Sequence, residues 1–269
     1  EAPAHIVGIT GPPGVGKSSL LSRLVGVWRA RTASVAVLAV DPTSRRSGGA
    51  LLGDRARIDV DPADRRIFIR STAAGDRLGG LAPATRAAAG ALAAAFDVVV
   101  IETVGVGQSE TEVADVADTV AVVVQPGSGD ALQFLKSGIM EVPDVLVVSK
   151  ADLGRVADRA LADLRAALRS LGSAETPVVA VSSIAPVVGI GELIEALDAH
   201  RAALDLPARR LRARRLHALA DFVAEHGDRG LRALGGRRVA ETWLGRQDPG
   251  LDVPALERAL EARQTGRCD

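Results

Sequence analysis

The 269-residue sequence predicts an α/β fold: a mostly parallel sheet with helices on both faces, followed by a C-terminal helical appendage. Three observations predict it. Short apolar, β-branched runs alternate with stretches of helical spacing, the pattern of strands covered on both faces by crossover helices. A glycine-rich loop stands between the first such run and the first helical stretch. Near Gly189 the strand-like runs stop and only helical patterns remain.

The first strand is His5 to Thr10, apolar and β-branched. The first helix follows from about Lys17 to Arg31, with Leu20, Leu21, Leu24 and Val25 on one face. Ser34 to Val40, Ile67 to Ser71, Asp97 to Glu102, Thr119 to Gln125, Val145 to Ser149 and Val178 to Val181 are the remaining short buried strands. Between them, Pro83 to Phe96, Glu110 to Val116, Ala131 to Met140 and Leu153 to Leu171 read as helices. Gly191 to Leu206 reads as the helix that closes the sheet domain, which places the domains at residues 1–206 and 207–269. Pro207 opens an Arg-rich helical stretch to Ala224, and Leu231 to Leu244 and Val253 to Gln264 are further helices of the appendage. The basic run from Arg209 to Arg215 reads as the solvated face of an amphipathic helix rather than a seat for an anionic partner.

Composition narrows the function classes. Basic and acidic residues balance at 33 each, so net charge supplies no attraction to nucleic acid or an anionic membrane. No apolar run approaches the ~18 residues of a membrane span. Cys268 is the only cysteine and sits at the extreme C-terminus, which rules out an internal disulfide and a thiolate metal cluster. A reducing, cytoplasmic location is the expectation. The chain starts at Glu1 rather than Met, which is compatible with a removed N-terminal segment. Only three of the 33 basic residues are lysine: Lys17, Lys136 and Lys150. Where arginine is so dominant, surviving lysines point to places that need a compact point charge instead of a planar fork.

Lys17 ends the loop Gly11-Pro12-Pro13-Gly14-Val15-Gly16-Lys17-Ser18, a G-x-x-x-x-G-K-S motif in strand–loop–helix context. Glycines let backbone N–H groups turn toward phosphate oxygens, and the helix N-terminus adds positive potential there. Lys17 should reach the β- and γ-phosphates, Ser18 should ligate Mg²⁺, and Ser19 continues the nucleotide-binding run. Glu102-Thr103-Val104-Gly105 closes a buried strand; its carboxylate can hold Mg²⁺, and the Gly105 N–H can sense the γ-phosphate. Asp41 ends the second strand and Asp54 lies beyond it; both are candidates for Mg²⁺ or for positioning water. Ser149-Lys150-Ala151-Asp152 is similar to the N-K-x-D guanine-reading motif, in which the aspartate accepts from the guanine N1–H and exocyclic amine. Serine in place of asparagine predicts weaker binding with guanine preference retained. Ser182, Ser183 and Ile184 would supply the last base-contacting loop. Val106 stands where many GTPases carry the water-orienting glutamine, and Gln108 lies further on. Slow intrinsic hydrolysis of GTP to GDP, accelerated by a partner, is expected.

Taken together, Gly11 to Leu20, Asp41 to Arg57, Glu102-Thr103-Val104-Gly105-Val106-Gly107-Gln108-Ser109-Glu110 and Pro126 to Gln133 resemble the methylmalonyl-CoA mutase-associated GTPase chaperones, also labelled lysine/arginine/ornithine transport ATPases. The resemblance covers roughly residues 5 to 200. It implies the SIMIBI class of P-loop GTPases, a homodimer, and a role in gating adenosylcobalamin delivery to, and protecting or reactivating, a B12-dependent acyl-CoA mutase. It assigns Lys17 and Ser18 to phosphate and metal, Asp41, Asp54 and Glu102 to metal and switch positions, Val104 to Glu110 to the second switch, and Gln125 to Gly138 to a third switch that couples to the mutase. Lys136 lies in that third segment, where the family has a lysine pair and Ser137 replaces the second. It is either a charge at the phosphates across an interface or a helix-surface lysine. Two other departures are Ser149 and the four residues before His5, where the family carries a helical extension.

Two other classes compete. A nickel or cobalt metallochaperone GTPase would carry Cys or His clusters, whereas His5, His200, His217 and His226 are scattered along the chain; His217 and His226, on one helical segment, are the pair that metal binding could test. An ATP-dependent kinase linked to amino-acid transport would lack a use for the guanine-reading Asp152.

Overall fold

A computed structural model describes residues 4–41, 58–73, 81–103, 109–127 and 143–266. Seven strands form one sheet in the order β3-β2-β4-β1-β5-β6-β7. They are β1 (His5–Thr10), β2 (Val35–Asp41), β3 (Ile67–Ala73), β4 (Val98–Thr103), β5 (Thr119–Val124), β6 (Val145–Val148) and β7 (Val178–Ala180). Every pairing is parallel. The helices of this part are α1 (Lys17–Ala30), α2 (Pro83–Ala93), α3 (Ser109–Val116), α4 (Arg155–Ser170) and α5 (Ile190–Ala203). The expected helix over Ala131 to Met140 lies outside the described residues.

The period-2 geometry of a strand sorts each apolar run onto two faces. Val7, Ile9, Val98, Val100, Val145 and Val147 pack with Leu20, Leu24 and Trp28 of α1 and with Leu193 and Leu197 of α5. The alternate residues Ile6, Val99, Ile101, Leu146 and Val148 pack with Ala89 of α2, Val113 of α3 and Leu164 of α4. Both faces are covered, so the strands read as continuous apolar runs rather than alternating ones.

Polar side chains pin the strand starts. The Asp118 carboxylate accepts from Ile6 N–H at 2.9 Å, and Asp118 N–H donates to Ile6 O at 2.8 Å. Thr119 Oγ1 bridges His5 Nε2 (2.8 Å) and His200 Nδ1 (2.9 Å). His200 Nε2 lies 3.2 Å from Asp144 Oδ1, and Asp144 Oδ2 accepts from Val120 N–H at 2.8 Å. These contacts join β1, β5, β6 and α5 at the edge where the strands begin.

The chain divides into two compact units, Glu1–Leu204 and Asp205–Asp269. The second contains α6 (Leu206–Ala233), α7 (Arg237–Leu244) and α8 (Val253–Gln264) around Leu219, Phe222, Leu234, Leu244, Leu256 and Leu260. The N-caps of α6 and α8 are Asp205 and Asp252, whose side chains accept from Ala208 and Ala255 N–H. Two departures from the periodicity reading occur here. The helix expected to end at Ala224 runs on to Ala233, interrupted at Gly227 with φ 62° and ψ −167°. Gly235 and Gly236, both with φ 90°, divide the expected Leu231 to Leu244 helix into the end of α6 and a separate α7. Among the described residues, no helix is long and apolar enough to cross a membrane.

Asp97, just before β4, accepts from both the backbone N–H and the hydroxyl of Ser34, each at 2.7 Å. These two bonds hold its carboxyl below the usual value of 3.8. A lowered carboxyl contributes stability that is complete above its unfolded value and lost as pH falls through the folded one. Replacing Asp97 with alanine should therefore lower the melting temperature by a pH-independent amount above about pH 5. The gap should close as pH drops below 3.8. Calorimetry across this range checks it, with a contribution of about 1 kcal/mol or less because the carboxylate is solvent-screened.

Candidate functional site

A parallel sheet ends every strand at the same edge, so the C-terminal ends of β1, β2, β4, β5, β6 and β7 line up there. Register places the pieces. Ile9 and Ala39 both lie level with Glu102, and Val40 lies level with Thr103. The backbone of Asp41 is thus one residue past Thr103 on the neighbouring strand.

The loop after β1 is built around Gly11, whose φ is 143°. A Cβ there would lie 2.1 Å from the Val123 carbonyl oxygen of β5, so only glycine lets the loop cross that strand. Gly14 (φ 77°) and Gly16 (φ 95°) take left-handed turns with open space around them. Gly16 is the N-cap of α1 and no side chain caps that helix, leaving backbone N–H groups of its first turn to face the loop. Helix N-termini of this kind attract anions. Lys17 is buried (7% exposed), and its Nζ donates to Gly11 O at 2.6 Å and Pro12 O at 3.0 Å. The ammonium is folded back over the loop it belongs to. Val15 is buried beneath the loop, while Pro13 and Gly14 face outward.

Ser18 Oγ donates to Glu102 Oε1 at 3.1 Å, joining the start of α1 to the end of β4. Glu102 is 5% exposed. A hydroxyl beside a buried carboxylate is a hard-oxygen pair, the donor chemistry that Mg²⁺ takes. Two more hydroxyls at these strand ends, Thr10 Oγ1 and Thr103 Oγ1, are buried with no hydrogen-bond partner among the described residues. The residues present therefore fit a hydrated cation beside an anion.

The second loop cluster leaves β6 and β7. Ser149 is buried, and its hydroxyl donates back to Val124 O at 3.1 Å, so it ties β6 to β5. Lys150 is held in the left-handed region (φ 56°, ψ 43°), and its Nζ donates to Gln125 Oε1 at 2.5 Å. Ala151 N–H donates to Val181 O at 2.9 Å. The Ser182 hydroxyl lies 3.0 Å from both Asp152 Oδ1 and Ile184 O, and can donate to either. Arg23 of α1 donates from Nε to Ser183 O at 2.8 Å, which fastens this cluster to the helix that follows the glycine-rich loop. Asp152 and Ile184 are exposed at the surface of the cluster.

The structure thus brings Gly11 to Ser19, Glu102 and the β2 end at Asp41 to one edge, with Ser149, Lys150, Asp152, Ser182, Ser183 and Ile184 along it. Asp54, Gly105, Gln108 and Lys136 lie outside the described residues. Two contacts escape sequence reasoning. Gln125 becomes the acceptor for Lys150 only because β5 and β6 are neighbours. Arg23 reads as an ordinary helix-surface cation until the Ser183 carbonyl is placed against it.

Three sets of comparisons bear on this arrangement. The family model described as methylmalonyl-CoA mutase-associated GTPase MeaB matches residues 2–229. A protein of Pyrococcus abyssi with a provisional GTPase designation is 45% identical over 214 residues, covering 77% of this chain and 65% of the relative. A Caenorhabditis briggsae protein described as a mitochondrial methylmalonic aciduria type A homolog is 46% identical over 151 residues, 54% of this chain and 36% of the relative. The chain spans from 47% to 65% of the length of the first three relatives it matches. Among solved structures, a LAO/AO transport system kinase is similar with TM-score 0.60 and 28% identity, covering 90% of this chain and 80% of the other. The nickel complex of HypB from Helicobacter pylori, with TM-score 0.52 and 19% identity over 75% of this chain and 85% of the other, shares the fold alone.

The loop geometry predicts unequal glycines. Gly11→Ala should cost more than about 3 kcal/mol, a glycine-only backbone plus a carbonyl clash. Gly14→Ala should cost only about 1–2 kcal/mol, the strain of a left-handed backbone in open space. Urea denaturation of both variants without nucleotide checks the difference.

Proposed function

As this chain belongs to the MeaB family of methylmalonyl-CoA mutase-associated GTPases, we propose that it binds GTP and Mg²⁺ and hydrolyses GTP to GDP and phosphate. The observation that carries the proposal is the Ser18–Glu102 contact of 3.1 Å beside a lysine folded onto its own loop. In the proposed complex Lys17 exchanges its loop carbonyls for β- and γ-phosphate oxygens. Backbone N–H groups of Gly14 to Ser19 hold the remaining phosphate oxygens. Ser18, Asp41, Asp54 and Glu102 would hold Mg²⁺, which neutralises charge between the β- and γ-phosphates. Gly105 and Gln108 are assigned to the second switch, where Gln108 would orient water. Lys136 lies in the third switch.

Base recognition falls to Asp152, with the Lys150 stem over the base and Ser182, Ser183 and Ile184 alongside. The Ser182 contact to Asp152 Oδ1 supports this reading, because it orients the carboxylate at the surface where a base can reach it. Ser149 has its hydroxyl turned to Val124, consistent with a looser grip on nucleotide than an asparagine would give. Asp152→Asn should weaken GTP binding by about 10- to 100-fold, the loss of charge-assisted hydrogen bonds worth ~1.5–3 kcal/mol. The same variant should gain affinity for xanthosine triphosphate, whose 2-carbonyl accepts from the new amide. Fluorescent-nucleotide titration reads both effects.

The biological role we propose is chaperoning an adenosylcobalamin-dependent acyl-CoA mutase, methylmalonyl-CoA mutase first, by gating cofactor delivery and protecting the enzyme. The family description and the relatives' names support it. The helical unit over 207–269 is assigned to homodimerisation and partner contact, in the cytoplasm. Steady-state hydrolysis, alone and with the mutase of the same organism, tests the whole proposal. GTP turnover should be slow and rise severalfold with the mutase, with ATP inert. An unchanged rate would remove the mutase from the proposal and keep the GTPase. A preference for ATP would overturn the role of Asp152 and favour a transport-linked kinase.

A further inference from the structure

The helical unit carries a cluster that nucleotide chemistry does not use. Asp221, Glu225 and His226 lie on α6, at spacings that place Asp221 and Glu225 in one row and Phe222 and His226 in the next. Glu257 and Glu261 form a matching i, i+4 row on α8. One ligand atom each from Glu225, His226 and Glu261 lie within 4.8 Å of one another. His226 Nε2 stands 3.7 Å from Glu261 Oε1, beyond hydrogen-bond reach. That nitrogen is buried and makes no hydrogen bond among the described residues.

The imidazole is held by packing. Its ring lies against Phe222 with centroids 4.5 Å apart. Gly230, one turn on, leaves room for it: a Cβ there would come within 2.4 Å of the His226 Cβ. A buried nitrogen on a ring so fixed, aimed at carboxylates but not bonded to them, is a pre-organised ligand. Carboxyl groups crowd the same groove. Burial first, then the Asp221, Glu261 and Glu225 charges and a hydrogen bond with Asp221, push the Glu257 carboxyl above its ordinary value.

We propose that Glu225, His226 and Glu261 form a binding site for one divalent transition-metal ion of the zinc type. One imidazole and two carboxylates suit zinc, cobalt or nickel better than Mg²⁺, which prefers oxygen alone. Tetrahedral bonds of ~2.0–2.2 Å place ligand atoms about 3.4 Å apart. The His226–Glu261 separation is already close to this, and Glu225 is exposed and free to close the remainder. Three protein ligands leave the fourth position to water. The site is independent of the GTPase reading.

The test uses the full chain, stripped of metal by a chelator and kept in excess Mg²⁺ so that the nucleotide edge is occupied. Isothermal titration with Zn²⁺ should give one site per chain. Co²⁺ in its place should give visible d–d absorption of a four- or five-coordinate ion. His226→Ala and the shape-conserving Glu261→Gln should each weaken Zn²⁺ binding about tenfold or more, the lower end of what even outer-shell groups contribute to metal affinity. Zn²⁺ should raise the melting temperature of the parent and not of Glu261→Gln, which keeps the test valid if His226→Ala folds poorly. Zn²⁺ affinity in Glu261→Gln equal to the parent's, or no stoichiometric binding by the parent, would overturn the site and leave His226 and Glu261 as a simple ion pair.

Discussion

Parallel pairing throughout the sheet is the constraint from which the candidate site follows. Because β1 is hydrogen-bonded to β4 on one side and β5 on the other, its outgoing loop must pass between the ends of both. Gly11 meets this condition on the β5 side, where no Cβ fits against Val123 O. Glu102 meets it on the β4 side, level with Ile9, where its carboxylate receives the Ser18 hydroxyl. The Gly11 crossing and the Ser18–Glu102 contact are therefore fixed by backbone register before any ligand arrives. Preorganisation of this kind lowers the ordering cost of binding at these two points.

The opposite edge explains why the register holds. Valine-rich strands buried on both faces lack the inside–outside alternation that normally resists a slip by one residue. Directional bonds at the strand starts supply what the apolar pattern cannot. Asp118 exchanges two hydrogen bonds with Ile6, and Thr119 joins His5 to His200, each at a defined residue. Slipping β1 against β5 would leave such groups buried and unpaired, at ~1–3 kcal/mol each. Polar atoms far from the site thus maintain the alignment that creates it.

Much of this was legible in the residues. The apolar runs located all seven strands to within two residues at each end, because β-branched clusters bounded by turns have few other readings. Val253 to Gln264 matched to the residue, since Asp252 and Pro254 mark its start by capping chemistry. The appendage was less legible after Ala224, where α6 runs on past the break at Gly227, and at Gly235-Gly236, where helical periodicity continues through glycines whose backbone leaves the helix. Within the site, local motifs pointed to Lys17, Glu102 and Asp152. The Lys150–Gln125 and Arg23–Ser183 contacts did not show, because each depends on which strands and helices become neighbours. His226 was legible as a histidine open to a metal test, but Glu261 beside it was not, because it comes from another helix more than thirty positions along the chain.

Lysine usage links composition to this geometry. With three lysines among 33 basic residues, an ammonium persists where a guanidinium would fail. Lys17 is folded into its loop with Nζ between two carbonyl oxygens at 2.6 and 3.0 Å, a buried pocket sized for a compact charge. Lys150 leaves a left-handed backbone and ends on a single side-chain oxygen of Gln125. In both cases the donor meets its acceptors end-on, as a point charge does and a planar fork with five fixed N–H directions does not. An arginine at either place would be longer and would aim several donors at one or two oxygens. Two of the three lysines thus stand at the nucleotide edge, where a compact charge fits the acceptors that the fold presents.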